Sequence, residues 1–214
     1  MSFVYDKNYF KKHFSGRGVG GFLYRKYIDK RNKTIKNEIL KIIKKGNFLD
    51  IGFGDDNLIK LFKNEFEVFG LDISEYAVKE IQKKYKKENF KICDISKEEI
   101  PFKEKFDVIC AINTIEHLSN LNDVFKKIYK ATKKGGLFVI YLPTKSNFLS
   151  KFQYKVLYDV KEHTFRPSNK ELKKMIQKNG FKLIKEYSGN FFPLKIKKRA
   201  IIDSFCLYFG IFQK

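Results

Sequence analysis

Cysteine, proline and tryptophan are scarce in this sequence of 214 residues, which has three cysteines, four prolines and no tryptophan. Cys93, Cys110 and Cys206 are odd in number and widely spaced, so they fit neither a disulfide framework nor a cysteine-based zinc site. Cys93 and Cys110 lie in apolar, strand-like runs. We therefore predict buried core thiols in a protein of the reducing cytoplasm.

Long hydrophobic runs are also missing. No apolar run approaches the roughly 18 residues needed to span a bilayer, and residues 1–14 lack the apolar core of a secretory signal. Residues 193–212 place four basic residues beside an apolar run. We interpret this segment first as an ordinary helix and strand, and second as an interfacial helix that contacts anionic lipid at the inner face of the membrane.

Arginine is rare although the chain is strongly basic. The net charge is +21, from 45 lysine and arginine residues against 24 acidic ones, and only five of the 45 are arginine. Proteins that read nucleic acids depend on arginine for bidentate contacts. The composition therefore favours a lysine bias that solvates helix faces, with an anionic small-molecule substrate, over a nucleic-acid partner.

Hydrophobic periodicity predicts alternating strands and helices. The predicted strands are 48–51, 67–71, 90–93, 107–112, 137–142, 181–187 and 207–213. The predicted helices are 23–44, 57–64, 75–87, 122–132, 169–179 and 193–204, with an irregular segment at 144–165. Because the strands up to 142 are continuously apolar, they predict a parallel sheet covered by helices on both faces.

Polar residues and glycines follow the predicted strands at the point where each strand ends. In an open parallel sheet, ligands bind outside these carboxyl ends, so we expect the residues to meet at one edge. After the first strand, Gly52 and Gly54 allow a sharp turn and a close approach of the backbone to a ligand. The other residues at these ends are Asp50, Asp55, Asp72, Asp94, Asn113, Thr114, Glu116 and His117.

The residues after the second and third strands predict a site for an adenosine group. Asp72 lies about 20 residues beyond the first glycine, where an acid accepts hydrogen bonds from both ribose hydroxyls. Asp94 is suited to accept a hydrogen bond from the adenine amine. Ile73 and Ile95, each directly after its acid, are suited to cover the two faces of the purine ring.

The residues after the glycines discriminate between adenosine cofactors. A dinucleotide site would have a third glycine where this chain has Asn57, and it would place a pyrophosphate at the start of the next helix. Asp55 and Asp56 at that position would repel the pyrophosphate. S-adenosylmethionine carries no phosphate, and its ammonium and sulfonium groups suit nearby acids. The pattern therefore favours S-adenosylmethionine.

Five segments in register resemble the class I S-adenosylmethionine-dependent methyltransferases. LDIGFGDDNLI resembles the first motif of that family, and GLDIS, CDIS, FDVICAINTIEHL and KKGGLFVIYLP resemble its later motifs in order and spacing. The segment EHTFRPSNKELKKMIQKNGFKLI resembles the branch that methylates small molecules, quinone and lipid precursors, and sugars. The resemblance covers residues 23–190 and implies a Rossmann-like, seven-stranded α/β sheet flanked by helices on both faces.

The resemblance also suggests roles for individual residues. It implies that Asp50 orients the amides of the glycine loop and that Asn113 reaches the methionine part of the cofactor. Arg25 is our candidate partner for the methionine carboxylate. The chain departs from the family at Asp56, where glycine is usual, and this residue either caps the following helix or crowds the methionine carboxylate.

Histidines supply the candidate catalytic residues. For Glu116 and His117 the resemblance implies, in this order, shaping of the site near the methyl group, a general base, and a metal ligand. The last role belongs to a related RNA end-methylating group with the pattern E-x-x-E-H, whose first glutamate is replaced here by Asn113, and we predict no metal. His163, in the segment HTFRPS, is a candidate base or hydrogen-bond donor on the substrate side.

We predict one domain over residues 1–214, made of an N-terminal helical cover (1–46), a cofactor-binding core (47–142), a lid (143–167) and a C-terminal part (168–214). The predicted activity is methyl transfer from S-adenosylmethionine to an oxygen of a small acceptor. The acceptor would be a sugar of a surface glycan, a quinone or lipid precursor, or a similar metabolite. The alternatives are an RNA or DNA methyltransferase and a non-catalytic binding protein.

Overall fold

A computed structural model describes residues 18–157, 163–188 and 206–214 of the chain. The helices are α1 (Gly18–Leu40), α2 (Ile59–Phe62), α3 (Glu75–Ile81), α4 (Leu121–Ala131), α5 (Phe148–Leu157) and α6 (Asn169–Lys178). The strands are β1 (Gly46–Ile51), β2 (Phe66–Asp72), β3 (Phe90–Ile92), β4 (Phe106–Ile112), β5 (Thr132–Pro143), β6 (Lys182–Ser188) and β7 (Leu207–Gln213). The predicted helix 193–204 lies outside the described residues.

The chain forms two compact units, Met1–Asp94 and Ile95–Lys214. The strand order is β3-β2-β1 in the first unit and β4-β5-β7-β6 in the second, and the seven strands belong to one mixed sheet. The pairs β1–β2, β2–β3 and β4–β5 are parallel, as predicted, whereas β7 runs antiparallel to β5 and β6. The Rossmann-like fold class is confirmed, and the single domain stays a prediction.

Aromatic packing holds the short helix α2 against the first strands. The ring of Phe62 stacks on Phe48 of β1 with centroids 4.2 Å apart, and Phe66 of β2 meets Phe62 edge-on at 5.6 Å. Phe48 and Phe62 are completely buried. Because α2 has little more than one turn, this packing rather than helix propensity stabilises it. The glycine-containing loop between β1 and α2 is thereby anchored at both ends.

The C-terminal strand β7 has the predicted bounds and is buried. Residues Leu207–Phe212 are buried between β5 and β6. The interfacial-helix alternative for 193–212 is therefore wrong for residues 207–212, because these residues pair in the sheet. Residues 193–205 lie outside the described residues. None of the described helices is long and apolar enough to cross a membrane. Cys93, Cys110 and Cys206 are all buried. The burial of Cys93 and Cys110 confirms the prediction of core thiols.

Strand β5 is longer than predicted. It begins at Thr132 and passes through Gly135 and Gly136, which the sequence pattern placed before the strand. The amide of Gly135 donates to the carbonyl of Lys214 at 2.9 Å, and the amide of Lys214 donates to the carbonyl of Gly136 at 3.0 Å. These bonds to the last residue extend the strand, so a long-range contact overrides the local signal of two glycines.

Helix α5 lies where an irregular segment was predicted. Its first turn is fixed by Asn147 and Ser150: Ser150 Oγ accepts from the amide of Asn147 at 2.8 Å, and Asn147 Oδ1 accepts from the amide of Ser150 at 3.0 Å. Ser150 and Tyr154, one turn apart, are the buried residues of the helix. Large apolar residues face solvent instead, with Phe148 86% exposed, and this inverted pattern hid the helix.

Candidate functional site

In the first unit, the glycine loop folds onto the end of β2. Gly52 has φ 71° and Gly54 has φ 56°, backbone conformations that strain residues with a β-carbon. The amide of Gly52 donates to the carbonyl of Leu71 at 2.7 Å, and the amide of Gly54 donates to Oδ2 of Asp72 at 2.8 Å. The first two of the predicted clusters are therefore in direct contact.

Asp72 is buried and connects the glycine loop to α3. Its Oδ2 accepts from Gly54, and its Oδ1 accepts from the amide of Ser74 at 2.8 Å. Ser74 itself caps α3, as predicted, by accepting from the amide of Ala77 at 3.2 Å. Because each carboxylate oxygen has two lone pairs, these structural bonds leave acceptor capacity for ribose hydroxyls.

Asp50 lies at the centre of a negatively charged cluster. Burial raises the pKa of Asp50 well above its usual value, the charges of Asp55 and Asp72 raise it further, and the charge of Arg31 opposes the change. Burial also raises the pKa of Asp55 and of Asp72. A cationic ligand would offset the cost of ionising these carboxyl groups, so the cluster fits the ammonium and sulfonium of S-adenosylmethionine and disfavours a pyrophosphate.

The carboxylate of Asp56 points to α3 and the residues that follow it. Asp56 Oδ2 forms an ion pair with Lys84 Nζ at 3.1 Å. Burial of the Tyr85 hydroxyl raises its pKa, and the charge of Asp56 raises it further. The residue at the N-cap of α2 is Leu58, which provides no side-chain cap, so the expectation that Asp56 caps this helix is wrong. Asp55 instead stabilises the loop by accepting from the amide of Asn57 at 2.9 Å.

Arg31 is a residue of this site that the sequence analysis missed. It is 9% exposed, its Nε donates to Oδ1 of Asn32 at 3.0 Å, and its charge acts on Asp50. The predicted cation, Arg25, is exposed on the same helix, and its role stays a prediction. A signal for Arg31 was present, because it shares the buried i, i+4, i+8 stripe of α1 with Ile35 and Ile39.

The residues proposed to hold the adenine differ in exposure. Ile73 is 50% exposed directly after β2, and Asp94 is half-buried after β3. In the second unit, Ile95 is 2% exposed, and its carbonyl accepts from Lys127 Nζ at 3.1 Å. Ile73 and Asp94 are thus accessible to a ligand, whereas Ile95 is packed inside its unit in this structure.

Asn113 ends β4 in a left-handed conformation. Its φ is 54°, which asparagine tolerates better than most residues. Its amide donates to the carbonyl of Tyr141 at 2.6 Å, and its side chain is exposed. The backbone is therefore held by β5 while the side chain stays accessible, as the predicted contact with the methionine group requires.

Glu116, His117 and His163 form a cluster in the second unit. Glu116 and His117 lie on a short 3₁₀ helix, Ile115–His117, and His163 comes from the predicted lid. Glu116 is 1% exposed, His163 is 6% exposed, and the two imidazole rings lie 4.8 Å apart. One ligand atom of each residue lies within 4.8 Å of the others. The structure therefore brings together both predicted catalytic histidines.

Hydrogen bonds from neighbouring residues hold the segment of His163 against the 3₁₀ helix. The amide of Phe165 donates to the carbonyl of Glu116 at 3.0 Å, and Thr164 Oγ1 donates to the carbonyl of Leu118 at 3.1 Å. His163 Nδ1 forms a hydrogen bond of 2.7 Å with the hydroxyl of Tyr154, a buried residue of α5. Tyr154 was not predicted as a site residue, because the helix that carries it was not predicted.

A family model for a methyltransferase domain matches residues 24–186, most of the chain. This chain belongs to the methyltransferase-domain family. The predictions of a class I methyltransferase, of an enzyme and of S-adenosylmethionine as cofactor are confirmed. The family match favours an enzyme over the non-catalytic alternative, which only Asp56 suggested.

This methyltransferase is similar to known proteins in sequence and in fold. An uncharacterized protein of Methanocaldococcus jannaschii is 30% identical over 173 residues, which is 76% of this chain and 78% of that protein. A solved S-adenosylmethionine-dependent methyltransferase of Clostridium acetobutylicum has a TM-score of 0.68 at 14% identity, covering 96% of each chain.

Two further solved structures share the fold of this methyltransferase. A chain from the complex of the Haloferax volcanii Trm112 methyltransferase activator with a methyltransferase has a TM-score of 0.69 at 16% identity, covering 99% of each chain. Magnesium protoporphyrin IX methyltransferase of Synechocystis, with bound SAH, has a TM-score of 0.65 at 15% identity, covering 97% of each chain. At these identities the likeness establishes the fold.

Proposed function

We propose that this methyltransferase methylates an oxygen of a small acceptor and that the cluster of Glu116, His117 and His163 activates the acceptor. The observation that carries this proposal is the burial of Glu116 and His163 beside the partly exposed His117. A cluster so enclosed suits a small molecule that enters a cavity rather than a long polymer. The net charge of +21 favours an anionic acceptor.

Residues of the first unit would hold the cofactor, which when bound supplies an electrophilic methyl group. Asp72 would accept hydrogen bonds from the ribose hydroxyls, and Asp94 from the adenine amine. Asp50 and Asp55 would stabilise the positive charge of the methionine end, with Arg31 limiting the local excess of negative charge. Gly52 and Gly54 keep the backbone open to close approach.

The chain's contribution to the chemical step is alignment and proton removal. The acceptor oxygen forms its bond to the methyl carbon as the methyl–sulfur bond breaks, and the bonding electron pair leaves with the sulfur. In-line displacement of this kind gains most of its rate from positioning. His163 would accept the acceptor's proton at Nε2, in the tautomer whose Nδ1–H donates to the Tyr154 hydroxyl at 2.7 Å.

Turnover of His163→Ala tests the base. With a hydroxyl acceptor found in a screen of sugars, quinone precursors and lipid precursors, we expect turnover to fall by about 10²–10⁴-fold while S-adenosylmethionine binding is retained. His117→Ala, which also removes one imidazole from the cluster, is the matched variant, and its turnover should fall less. Unchanged turnover in His163→Ala would remove the base role from this residue.

A nucleic-acid acceptor is the alternative that the charge of +21 favours. Phosphate contacts make such binding steeply dependent on salt. Fluorescence anisotropy with a random RNA oligonucleotide at two salt concentrations tests this alternative. We expect the protein to bind this RNA weakly. Tight binding that is lost steeply when salt is added would make a nucleic acid the leading acceptor.

A further inference from the structure

We infer that Glu116, His117 and His163 bind a divalent transition-metal cation, an inference that rests on the proposed function and specifies how the acceptor is activated. One carboxylate and two imidazoles offer ligand atoms within 4.8 Å of one another. Two imidazoles with one carboxylate form a set that holds Zn²⁺ in enzymes and, in facial arrangement, Fe²⁺. The imidazoles disfavour Mg²⁺ and Ca²⁺, which prefer oxygen ligands.

The cluster is close to the geometry that an ion needs. Ligands of Zn²⁺ lie about 2.0–2.2 Å from the metal, so neighbouring ligand atoms lie roughly 3–3.5 Å apart. The observed limit of 4.8 Å requires an approach of roughly 1.3–1.8 Å, which side-chain rotations can provide. His117 is partly exposed, so an ion has a route of entry.

Three features prepare this cluster before any ion binds. The hydrogen bond from the amide of Phe165 to the carbonyl of Glu116 fixes the two chain segments in register, although they are far apart in sequence. The Glu116 carboxylate is buried, and burial of a carboxylate is costly unless a positive charge lies nearby. A bound cation would supply that charge. Metal-binding histidines usually hydrogen-bond an outer group through their second ring nitrogen. The Tyr154 hydroxyl fills this role at Nδ1 of His163, so Nε2 would be the ligand atom.

A cation at this position would replace the imidazole base. An acceptor hydroxyl bound to the ion has a lowered pKa, as metal-bound water does, so its proton leaves without a base of matched pKa. Both histidines would then act as ligands. The inference therefore predicts that methyl transfer to a hydroxyl depends on the cation, whereas the base mechanism requires only His163.

Metal titration of the chelator-treated full chain tests the inference without acceptor or cofactor. Calorimetry with Zn²⁺, Mn²⁺ and Mg²⁺ should show one tight site for a transition metal and weak binding of Mg²⁺. Co²⁺ should give visible absorption bands from coordinated imidazole. We expect Glu116→Gln and His163→Ala to abolish the site, and Tyr154→Phe to weaken it by about 10–100-fold.

Two variants serve as controls. Glu99→Gln removes an exposed carboxylate that pairs with Lys130 at 3.5 Å, and it should bind metal as the wild type does. His13→Ala removes the third histidine of the chain and measures nonspecific imidazole binding. If His163→Ala fails to fold, Tyr154→Phe carries the comparison, with circular dichroism as the check.

The outcomes separate this inference from the proposed function. No tight transition-metal site in the wild type, or equal binding in Glu116→Gln and the wild type, overturns the inference. Full methyl transfer by chelator-treated protein also overturns it and leaves His163 as the base. A metal site lost in Glu116→Gln supports the inference even where no small acceptor is methylated, in which case the proposed function fails alone.

Discussion

The amide of Gly54 donates a hydrogen bond of 2.8 Å to Oδ2 of Asp72, which joins the glycine loop to the end of β2. Asp72 therefore has two tasks, because the carboxylate expected to bind the ribose also holds the loop that approaches the cofactor. Loss of the carboxylate removes both the ligand contact and the support of the loop. Loss of Asp72 should consequently weaken cofactor binding more than loss of any of the other acids.

Asp72→Ala tests this dual role. We expect its affinity for S-adenosylmethionine to fall by about 10–100-fold or more, since hydrogen bonds to a charged group contribute about 1.5–3 kcal/mol each. Isothermal titration calorimetry with S-adenosylmethionine and S-adenosylhomocysteine measures the effect. Asp123→Ala, at an exposed aspartate paired with Lys127, is the control. Wild-type affinity in Asp72→Ala would refute the ribose contact.

Asp56→Gly introduces the glycine usual in the family. Because Asp56 pairs with the exposed Lys84 at 3.1 Å, the substitution removes an ion pair worth about 0–1 kcal/mol. We expect the affinity for S-adenosylmethionine to change by less than about threefold. Calorimetry on Asp56→Gly and Lys84→Ala compares the loop change with loss of the ion pair alone. A large gain in affinity in Asp56→Gly only would show that this carboxylate obstructs the cofactor.

Asp50→Asn should change how stability depends on pH. The pKa of Asp50 in the folded chain is raised well above 3.8, mainly by burial, so the folded state keeps a proton that the unfolded state releases. The contribution of protonated Asp50 to the free energy of unfolding is fully present below pH 3.8 and is lost as pH rises through the folded-state pKa. Asp50→Asn has no proton to lose at this position, so its free energy of unfolding should not fall in this way. We expect this variant to be more stable than the wild type at neutral pH.

Urea unfolding without cofactor, measured at several pH values, gives the free energy of unfolding for this comparison. The difference between Asp50→Asn and the wild type should grow as pH rises from 3.8 and then level off. Asp123→Asn, at an exposed position, controls for general effects of charge. A difference independent of pH would contradict the raised pKa of Asp50.

Gly70→Ala should destabilise the first unit through the glycine loop. A β-carbon at Gly70 would lie 2.7 Å from the rings of both Phe53 and Phe90. Phe53 is buried between the two loop glycines, so displacing it moves the loop. We expect a loss of about 1–3 kcal/mol in the free energy of unfolding, typical of an overpacked core, together with weaker cofactor binding.

Thermal unfolding monitored by circular dichroism measures the effect of Gly70→Ala. The double variant Gly70→Ala/Phe53→Leu, which shortens one of the two rings, should recover part of the loss. Phe53→Leu alone is the reference for that comparison. A double variant less stable than the sum of the two single changes would show that Phe53 is not the residue displaced.

Local sequence signals determined most of the secondary structure. The apolar runs of β1, β2 and β4 indicated buried parallel strands, Ser74 indicated the start of α3, and β7 has its predicted bounds. These features depend on periodicity and on bonds between near neighbours. The order of the glycines and acids after the strands likewise indicated the cofactor, because the ends of parallel strands meet in any sheet of this class.

Tertiary contacts decided the parts of the site that the sequence left open. The distances between Glu116, His117 and His163 follow from the hydrogen bond between the backbones of Phe165 and Glu116, which no local pattern encodes. The effect of the Arg31 charge on the pKa of Asp50 requires the fold to bring α1 near the end of β1. Thus the sequence alone determined most of the helices and strands and the cofactor, through local periodicity and strand-end chemistry. The fold decided which distant side chains share a site, because long-range packing sets those distances.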